Sequence, residues 1–262
     1  MARISMSDIW DETRAFLRRE KGLLFPLGFA TFGIALLLLE LIAPGGTGGP
    51  ARPGPWMIWM LPGFLLFTIG YLGISALALL PNISVREALG VAMARLPSAI
   101  LLSIVLVGAM LLLLVIATMI VGVIGRDLGW TMQRAAVASL IIALIPLFWV
   151  ATRLVALWPL VVDRRPGPME AIGRSFALTT GHAGRVAGIL LLAGSIYLLI
   201  TGVAQLAGGS VFVLLGRAVG RPELGHVLSV ILVAAVGAML ATVWSVFVAL
   251  LYRRLSASSN GT

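Results

Sequence analysis

The 262-residue sequence has no cysteine, one lysine and only two histidines, His182 and His226. Without cysteine the chain forms no disulfide and no thiolate metal site, and two histidines are too few for a histidine-based zinc centre. Charged residues make up only 11% of the sequence, whereas soluble globular chains contain about 25%. The shortage of charge therefore argues against a soluble domain.

Hydrophobic residues dominate instead. They make up 60% of the sequence, and the mean hydropathy is +1.08. They form continuous runs rather than the alternating pattern of a transmembrane barrel, and a helix needs about 20 such residues to cross a bilayer. The sequence therefore predicts an all-α integral membrane protein with six transmembrane helices, at about 23–42, 56–80, 100–124, 135–162, 186–215 and 227–252.

The first 22 residues mix acids with bases, which distinguishes them from a secretory signal. Ile9, Thr13, Phe16 and Leu17 share one helical face. This pattern predicts an amphipathic helix that lies on the membrane surface, with a solvated tail as the alternative.

Two further amphipathic helices are predicted between the spans. In the segment 81–97, Ser84 and Glu87 have the spacing of a capping box, and Pro97 is expected to end a short helix that does not cross the membrane. In the second segment, Pro168 is expected to begin a helix and Gly181 to end it. Both helices are expected on the same side of the membrane.

The two segments also resemble each other. The sequences Glu87-Ala-Leu-Gly and Glu170-Ala-Ile-Gly are separated by 83 residues, and the same shift places spans three and four on spans five and six. We interpret the chain as one membrane domain, 1–262, built from repeated helix-plus-hairpin units. Its parts are 1–80, 81–162, 163–255 and a tail at 256–262.

The distribution of positive charge predicts the orientation. Thirteen Lys and Arg residues lie on the side of the termini and the amphipathic segments, and five lie in the opposite loops. The positive-inside rule places both termini in the cytoplasm and the protein in the cell inner membrane. The formal net charge of +9 then reflects topology and anionic headgroups rather than nucleic-acid binding.

The sequence shows no catalytic constellation. Its ten acids are scattered, and Glu40 is the only one expected inside a span. No nucleophile elbow, zinc-protease motif or dinucleotide-binding glycine motif occurs in a suitable context. We expect no enzyme activity, no cofactor and no metal.

Arginines are the candidate binding residues. Arg153 lies inside a predicted span, which indicates either a functional charge or a side chain that snorkels to the headgroups. Arg164, Arg165, Arg174 and Arg185 form a cytoplasmic cluster that serves either as a topology anchor or as a site for a lipid phosphate. The five arginines are candidates for binding lipid headgroups.

The central stretch resembles a known family. Trp158-Pro-Leu-Val-Val-Asp, followed by Glu170-Ala-Ile-Gly-Arg-Ser-Phe-Ala-Leu-Thr-Thr-Gly181, is similar to the signature of the glycerophosphoryl diester phosphodiesterase membrane-domain family. The resemblance extends over most of 56–252. It implies a membrane module without catalytic residues of its own, because the phosphodiesterase chemistry belongs to a soluble barrel that some members append.

Together these observations favour a non-enzymatic module in envelope or lipid homeostasis that engages membrane lipids, anionic ones above all. A second copy of the chain or another membrane protein is left open as a further partner. The alternative is a lipid or small-solute transporter with Arg153, Tyr197, Thr201 and Gln205 along its pathway. An enzyme that acts on lipid headgroups would need a metal or acid cluster, which the sequence does not show.

Overall fold

The computed structural model describes residues 6–42, 54, 56–164 and 167–259. Within these residues the chain forms helices and no strand. Six helical segments are long and apolar enough to cross a membrane: Ser7–Ile42, Trp56–Leu79, Val85–Asp127, Met132–Arg164, Ala183–Ala218 and Pro222–Ala257. The prediction of an all-α, multi-pass membrane protein with six spans is therefore confirmed.

The helices are numbered in chain order. The first half contains α1 (Met6–Gly28), α2 (Ile34–Ile42), α3 (Trp56–Trp59), α4 (Leu61–Leu79) and α5 (Val85–Asp127). The second half contains α6 (Met132–Leu154), α7 (Leu157–Arg164), α8 (Pro168–Thr179), α9 (Ala183–Val203), α10 (Gly209–Ala218) and α11 (Pro222–Ser259). Two π-helical turns, Phe29–Gly33 and Ala204–Gly208, join α1 to α2 and α9 to α10.

Several helices are much longer than a bilayer is thick. The 43 residues of α5 extend about 64 Å at a rise of 1.5 Å per residue, while the hydrocarbon core measures about 30 Å. Ion pairs join Arg254 in α11 to Glu12, at 3.0 Å, and to Asp8, at 3.7 Å, so both ends of the chain lie at one face. We call the helical parts at this face the terminal layer: the described residues of 6–22, 85–99, 157–182 and 248–259.

The best-packed core of the protein lies in and beside the terminal layer. Helix α7 is at its centre, because five of its eight residues are buried: Leu157, Pro159, Leu160, Val161 and Val162. It contacts α4, α5, α8 and α11. The largest core cluster joins α7 to Ile9 of α1, Ala171 of α8 and Tyr252 and Leu255 of α11.

The spanning portions are far less buried within the protein. In the most apolar stretch of α5 only 17% of the residues are buried, and in that of α9 and α10 only 11%. Large apolar side chains such as Met119, Ile145 and Leu198 are about 70% exposed. In a membrane protein these surfaces face lipid chains, which solvate them without cost.

The amino-terminal segment is helical, as predicted, and meets the spanning part of α1 at a kink at Glu20. Its predicted inner face packs against the protein: Ile9 and Thr13 are fully buried. The ion pairs of Glu12 with Arg253 and Arg254 hold this helix against the carboxyl-terminal end of α11.

The segment after span two also differs from the prediction. The capping box is confirmed, since the Glu87 amide donates to the Ser84 hydroxyl and the Ser84 amide donates to the Glu87 carboxylate. However, the helix does not end at Pro97 but runs on through Asp127. The proline removes one helical hydrogen bond. Burial of Ala99 and Leu102, one turn beyond it, favours the continuous helix.

The predicted fourth span is broken, and Pro159 gives the reason. A proline at this position cannot donate to the carbonyl of Val155, and its ring clashes with that carbonyl in a continuous helix. The chain therefore turns at Val155 and Ala156 and starts again as α7, where Pro159 occupies the first turn. Arg153 consequently lies in the last turn of α6, within the apolar segment Met132–Arg164.

The remaining boundaries agree more closely with the sequence. Helix α8 begins at Pro168, and Gly181 follows its end with a φ of +81°, as expected. The length of span five predicts either a tilt or a break near Gly208 and Gly209, and the irregular turn lies at Ala204–Gly208. A Cβ atom at Gly208, the last residue of this turn, would lie 2.1 Å from Leu232 Cδ2, so the turn packs directly against α11. The glycine- and proline-rich sequence of 44–55 predicts a flexible connector, and it lies outside the described residues, apart from Gly54.

The packing of α1 predicts unequal effects at two neighbouring leucines. Leu24 is fully buried in a core cluster, while Leu23 is 47% exposed. We expect Leu24→Ala to lower the free energy of unfolding by about 2–5 kcal/mol, since it removes buried methyl groups and leaves a cavity. Leu23→Ala, the matched control, should lower it by much less. Thermal unfolding of both variants in detergent checks this, and equal losses would contradict the placement of α1.

Candidate anion-binding site

Two of the candidate arginines meet in a cavity of the terminal layer. The cavity has a volume of about 240 Å³ and is lined by Arg164 of α7, Arg174 of α8 and Tyr252 and Ser256 of α11. Leu160, Ala177 and Leu178 complete its wall. The junction of three helices thus combines two guanidinium groups and two hydroxyl groups in one small space.

Acidic side chains lie beside both arginines. Arg174 pairs with Glu170 at 2.7 Å, as the i,i+4 spacing predicts, and Arg164 lies 3.6 Å from Asp163. The Tyr252 hydroxyl donates to Asp163 at 2.7 Å. Because the arginine side chains are about 45% exposed, these pairs contribute little stability, and an incoming phosphate can compete for the guanidinium groups.

The other members of the predicted cluster are placed differently. Arg185 is exposed in the first turn of α9 and does not line the cavity. Arg165 lies outside the described residues. The structure therefore brings Arg164 and Arg174 together, and leaves Arg185 apart from them.

Arg153 lies in a separate place, where α6 ends against α8. Its carbonyl oxygen accepts a hydrogen bond from the Ser175 hydroxyl at 2.7 Å and lies 3.5 Å from the Thr179 hydroxyl. Its guanidinium group lies over the Trp149 ring, with 5.5 Å between the guanidinium carbon and the ring centroid. The nitrogens Nε and Nη1 are buried and have no hydrogen-bond partner among the described residues.

Sequence reasoning missed Ser175 and Thr179 as positioning residues. Both are fully buried, and their hydroxyl groups replace the amide donor that the Arg153 carbonyl loses where the helix breaks. The signal was present in the sequence as Pro159, six residues after Arg153. The proline alone does not identify Ser175 and Thr179, because their role depends on the packing of α8 beside the break.

The structure does not gather the residues of the transporter alternative around a common cavity. Tyr197 and Gln205 are exposed on the apolar surface of the fifth span. The Thr201 hydroxyl donates to the Tyr197 carbonyl within its own helix, at 2.7 Å. Neither of the two cavities described here is lined by Arg153 or by these residues.

A larger cavity of about 1040 Å³ lies between α1, the turn at 80–84 and the end of α11. Its charged residues already have partners. Glu12 pairs with Arg253 and Arg254, and Arg19 pairs with Glu20 at 2.8 Å. With its charges balanced in this way, the cavity offers no uncompensated group that selects a charged ligand.

No three His, Asp or Glu side chains in the described part of the chain lie close enough together to hold a metal ion. His182 precedes α9 without capping that helix through its side chain.

Comparison with known proteins adds no assignment. A scan of the sequence against protein-family models finds no match, and searches of curated proteins and of solved structures find none either. The resemblance to the glycerophosphoryl diester phosphodiesterase membrane-domain family therefore stays a prediction, and the function has to be argued from the geometry.

The break between α6 and α7 predicts a structural role for Ser175. Replacing Ser175 by alanine removes the shorter of the two hydroxyl contacts to the buried Arg153 carbonyl, which should lower the free energy of unfolding by about 1–3 kcal/mol. The control is Thr180→Ala, since the Thr180 hydroxyl is exposed and bonds within α8 to the Phe176 carbonyl. Thermal unfolding in detergent compares the two. A loss for Ser175→Ala no larger than for Thr180→Ala would show that the hydroxyl does not hold the break.

Proposed function

We propose that this protein is a non-enzymatic membrane module in envelope or lipid homeostasis that binds anionic lipid at its terminal layer. The observation that carries the proposal is the cavity shared by Arg164 and Arg174, with the hydroxyl groups of Tyr252 and Ser256 in the same wall. Guanidinium groups match the oxygens of a phosphate in charge and in geometry. Their position beside the spans favours a ligand that the membrane itself supplies.

The size of the cavity limits what it takes. At about 240 Å³ it is smaller than the roughly 300–1,000 Å³ of pockets that enclose a whole drug-sized ligand. We therefore propose that the phosphate and the adjoining glycerol enter, while the acyl chains stay in the bilayer. Leu160, Ala177 and Leu178 provide apolar wall for the carbon atoms next to the phosphate.

We further propose that the terminal layer faces the cytoplasm of an inner membrane. The excess of arginine on this side supports the cytoplasmic orientation. The contact between Glu12 and Arg254 supports placing both ends of the chain on the same side. The anionic lipids of the cytoplasmic leaflet would then be the ones within reach of Arg164 and Arg174.

The proposed repeat has structural support as well. Ser84 precedes α5 and Gly167 precedes α8, and these N-caps are separated by the same 83 residues as the sequence match. The equivalent residues Ala88 and Ala171 are both fully buried, as are Ala92 and Ser175. The two helices thus start at equivalent positions and bury equivalent faces, as members of the proposed family with two copies of the unit would.

Lipid binding is tested by native mass spectrometry of the protein extracted with its surrounding lipid. We expect Arg164→Gln combined with Arg174→Gln to lose bound phosphatidylglycerol, since both guanidinium groups of the cavity are removed. Loss of affinity should be at least about tenfold, as expected for losing charge-assisted contacts to phosphate. Arg217→Gln combined with Arg221→Gln is the matched control, because both arginines are exposed at the opposite end of the spans. Equal retention in both double variants would reduce the cavity arginines to topology anchors.

The orientation is tested with single cysteines, because the natural chain has none. Met132→Cys lies at the start of α6, at the end opposite the terminal layer, and Thr180→Cys lies in the layer; both native residues are exposed. In sealed spheroplasts a membrane-impermeant thiol reagent should label Met132→Cys and spare Thr180→Cys, while inverted vesicles should give the reverse. The opposite labelling pattern would place the terminal layer outside the cytoplasm.

A further inference from the structure

Arg153 is a half-buried cation that has no anionic partner among the described residues. All ten Asp and Glu residues of the sequence lie within the described part of the structure, and none of them forms an ion pair with Arg153. Two of its guanidinium nitrogens are buried and have no hydrogen-bond partner among the described residues. Buried charges in proteins are normally paired, because an unpaired one costs several kcal/mol. No described residue supplies this negative charge, so a bound anion is the natural candidate for it.

The backbone and the neighbouring rings hold Arg153 in place. The Ser175 hydroxyl binds its carbonyl oxygen, and the Trp149 ring lies against its guanidinium group. Phe176 in turn packs edge-on against Trp149, with ring centroids 5.8 Å apart. A side chain fixed in this way is not a mobile arginine that reaches for any headgroup. It presents a positioned positive charge.

The surface that leads to Arg153 is apolar and open to lipid. Ile142, Ile145 and Trp149 lie on the same face of α6 as Arg153, at helical spacings of three and four residues. Their exposed fractions are 46%, 71% and 52%. A phosphate at Arg153 could therefore be carried by a lipid whose acyl chain follows this face into the hydrocarbon.

This position is separate from the cavity of Arg164 and Arg174. Helix α8 separates the two, because Phe176 lies on the Arg153 side and Arg174 lines the cavity. Two residues apart on a helix means about 200° of rotation, so these side chains point in nearly opposite directions.

We propose that Arg153 is the binding residue of a second anion site, which takes the phosphate group of a membrane lipid whose chain lies along Ile142, Ile145 and Trp149. The proposal takes its ligand class from the proposed binding of anionic lipid, but it depends on different side chains. The two proposals can therefore fail separately.

The test compares thermal unfolding of wild type and Arg153→Gln in a neutral detergent, with and without phosphatidylglycerol. Without lipid, Arg153→Gln should unfold at the same temperature as wild type or higher, because it removes an unpaired buried charge. Added phosphatidylglycerol should raise the Tm of wild type by about 5 °C at a free concentration of about 100 Kd. It should raise that of Arg153→Gln by clearly less. If Arg153 had a purely structural role, phosphatidylglycerol would raise the Tm of Arg153→Gln as much as it raises that of wild type.

Two controls separate this site from the rest of the surface. Arg86→Gln removes an exposed arginine of the terminal layer that neither proposed site includes, and it should respond to lipid as wild type does. The double variant Arg164→Gln with Arg174→Gln should keep the part of the response that depends on Arg153. If only the double variant loses the response, the cavity binds lipid and the second site is overturned. If only Arg153→Gln loses the response, Arg153 binds lipid and the proposed lipid binding in the cavity is overturned.

The source of the phosphate is decided by two further additions. Inorganic phosphate should give a much smaller shift than phosphatidylglycerol, since it has no chain to lie along α6. Equal shifts would overturn the lipid as the source and leave a site for the free anion. Neutral diacylglycerol should give no shift that depends on Arg153. If no addition distinguishes Arg153→Gln from wild type, the proposal is wrong, and an acid on a protein partner becomes the candidate counter-charge.

Discussion

The hydrogen bond from Ser175 to the carbonyl of Arg153 holds together the part of the structure on which the rest depends. Pro159 denies the helix its continuation at Val155, so α6 ends and leaves carbonyl oxygens without amide donors. A buried carbonyl without a partner is costly, and α8 supplies the partner through its hydroxyl groups. Because the break is satisfied in this way, α7 can start directly after α6 and pack into the core of the terminal layer.

Once α7 is inside the layer, the other helices have a surface to pack on. Helices α4, α5, α8 and α11 contact it, and the two ends of the chain meet nearby through Glu12 and Arg254. The spans themselves contribute less, since lipid tails are as apolar as leucine and provide little hydrophobic drive for helices to associate. The terminal layer, part of which faces water and headgroups, is where burial of apolar surface stabilises the fold most.

The sequence predicted what depends on local chemistry and composition. The number of spans follows from long apolar runs, the start of α5 from Ser84 and Glu87, and the end of α8 from Gly181. The outcome at the prolines was not predictable in this way. Pro97 is accommodated inside a helix while Pro159 ends up at the start of one, and in each case the decision rests on what the neighbouring helices bury or bond.

In the candidate site, too, features set by local sequence were predictable and features set by helix packing were not. The proximity of Arg164 and Arg174 could be anticipated as a cluster, because both flank the short connection between α7 and α8. The position of Arg153 could not, since it depends on where α6 ends and on which face of α8 is turned toward it.

The two proposed anion sites on either side of α8 differ in how their charge is compensated. Arg164 and Arg174 are half-exposed and have Asp163 and Glu170 beside them, so a phosphate that leaves is replaced by a carboxylate at little cost. Arg153 has no such substitute, and its buried nitrogens would lose their only partner when a phosphate leaves. On physical grounds the cavity suits a lipid that exchanges, and Arg153 suits one that stays. A single amphipathic helix, bound to the break through Ser175, would then hold a resident lipid on one face and sample the surrounding anionic lipid on the other.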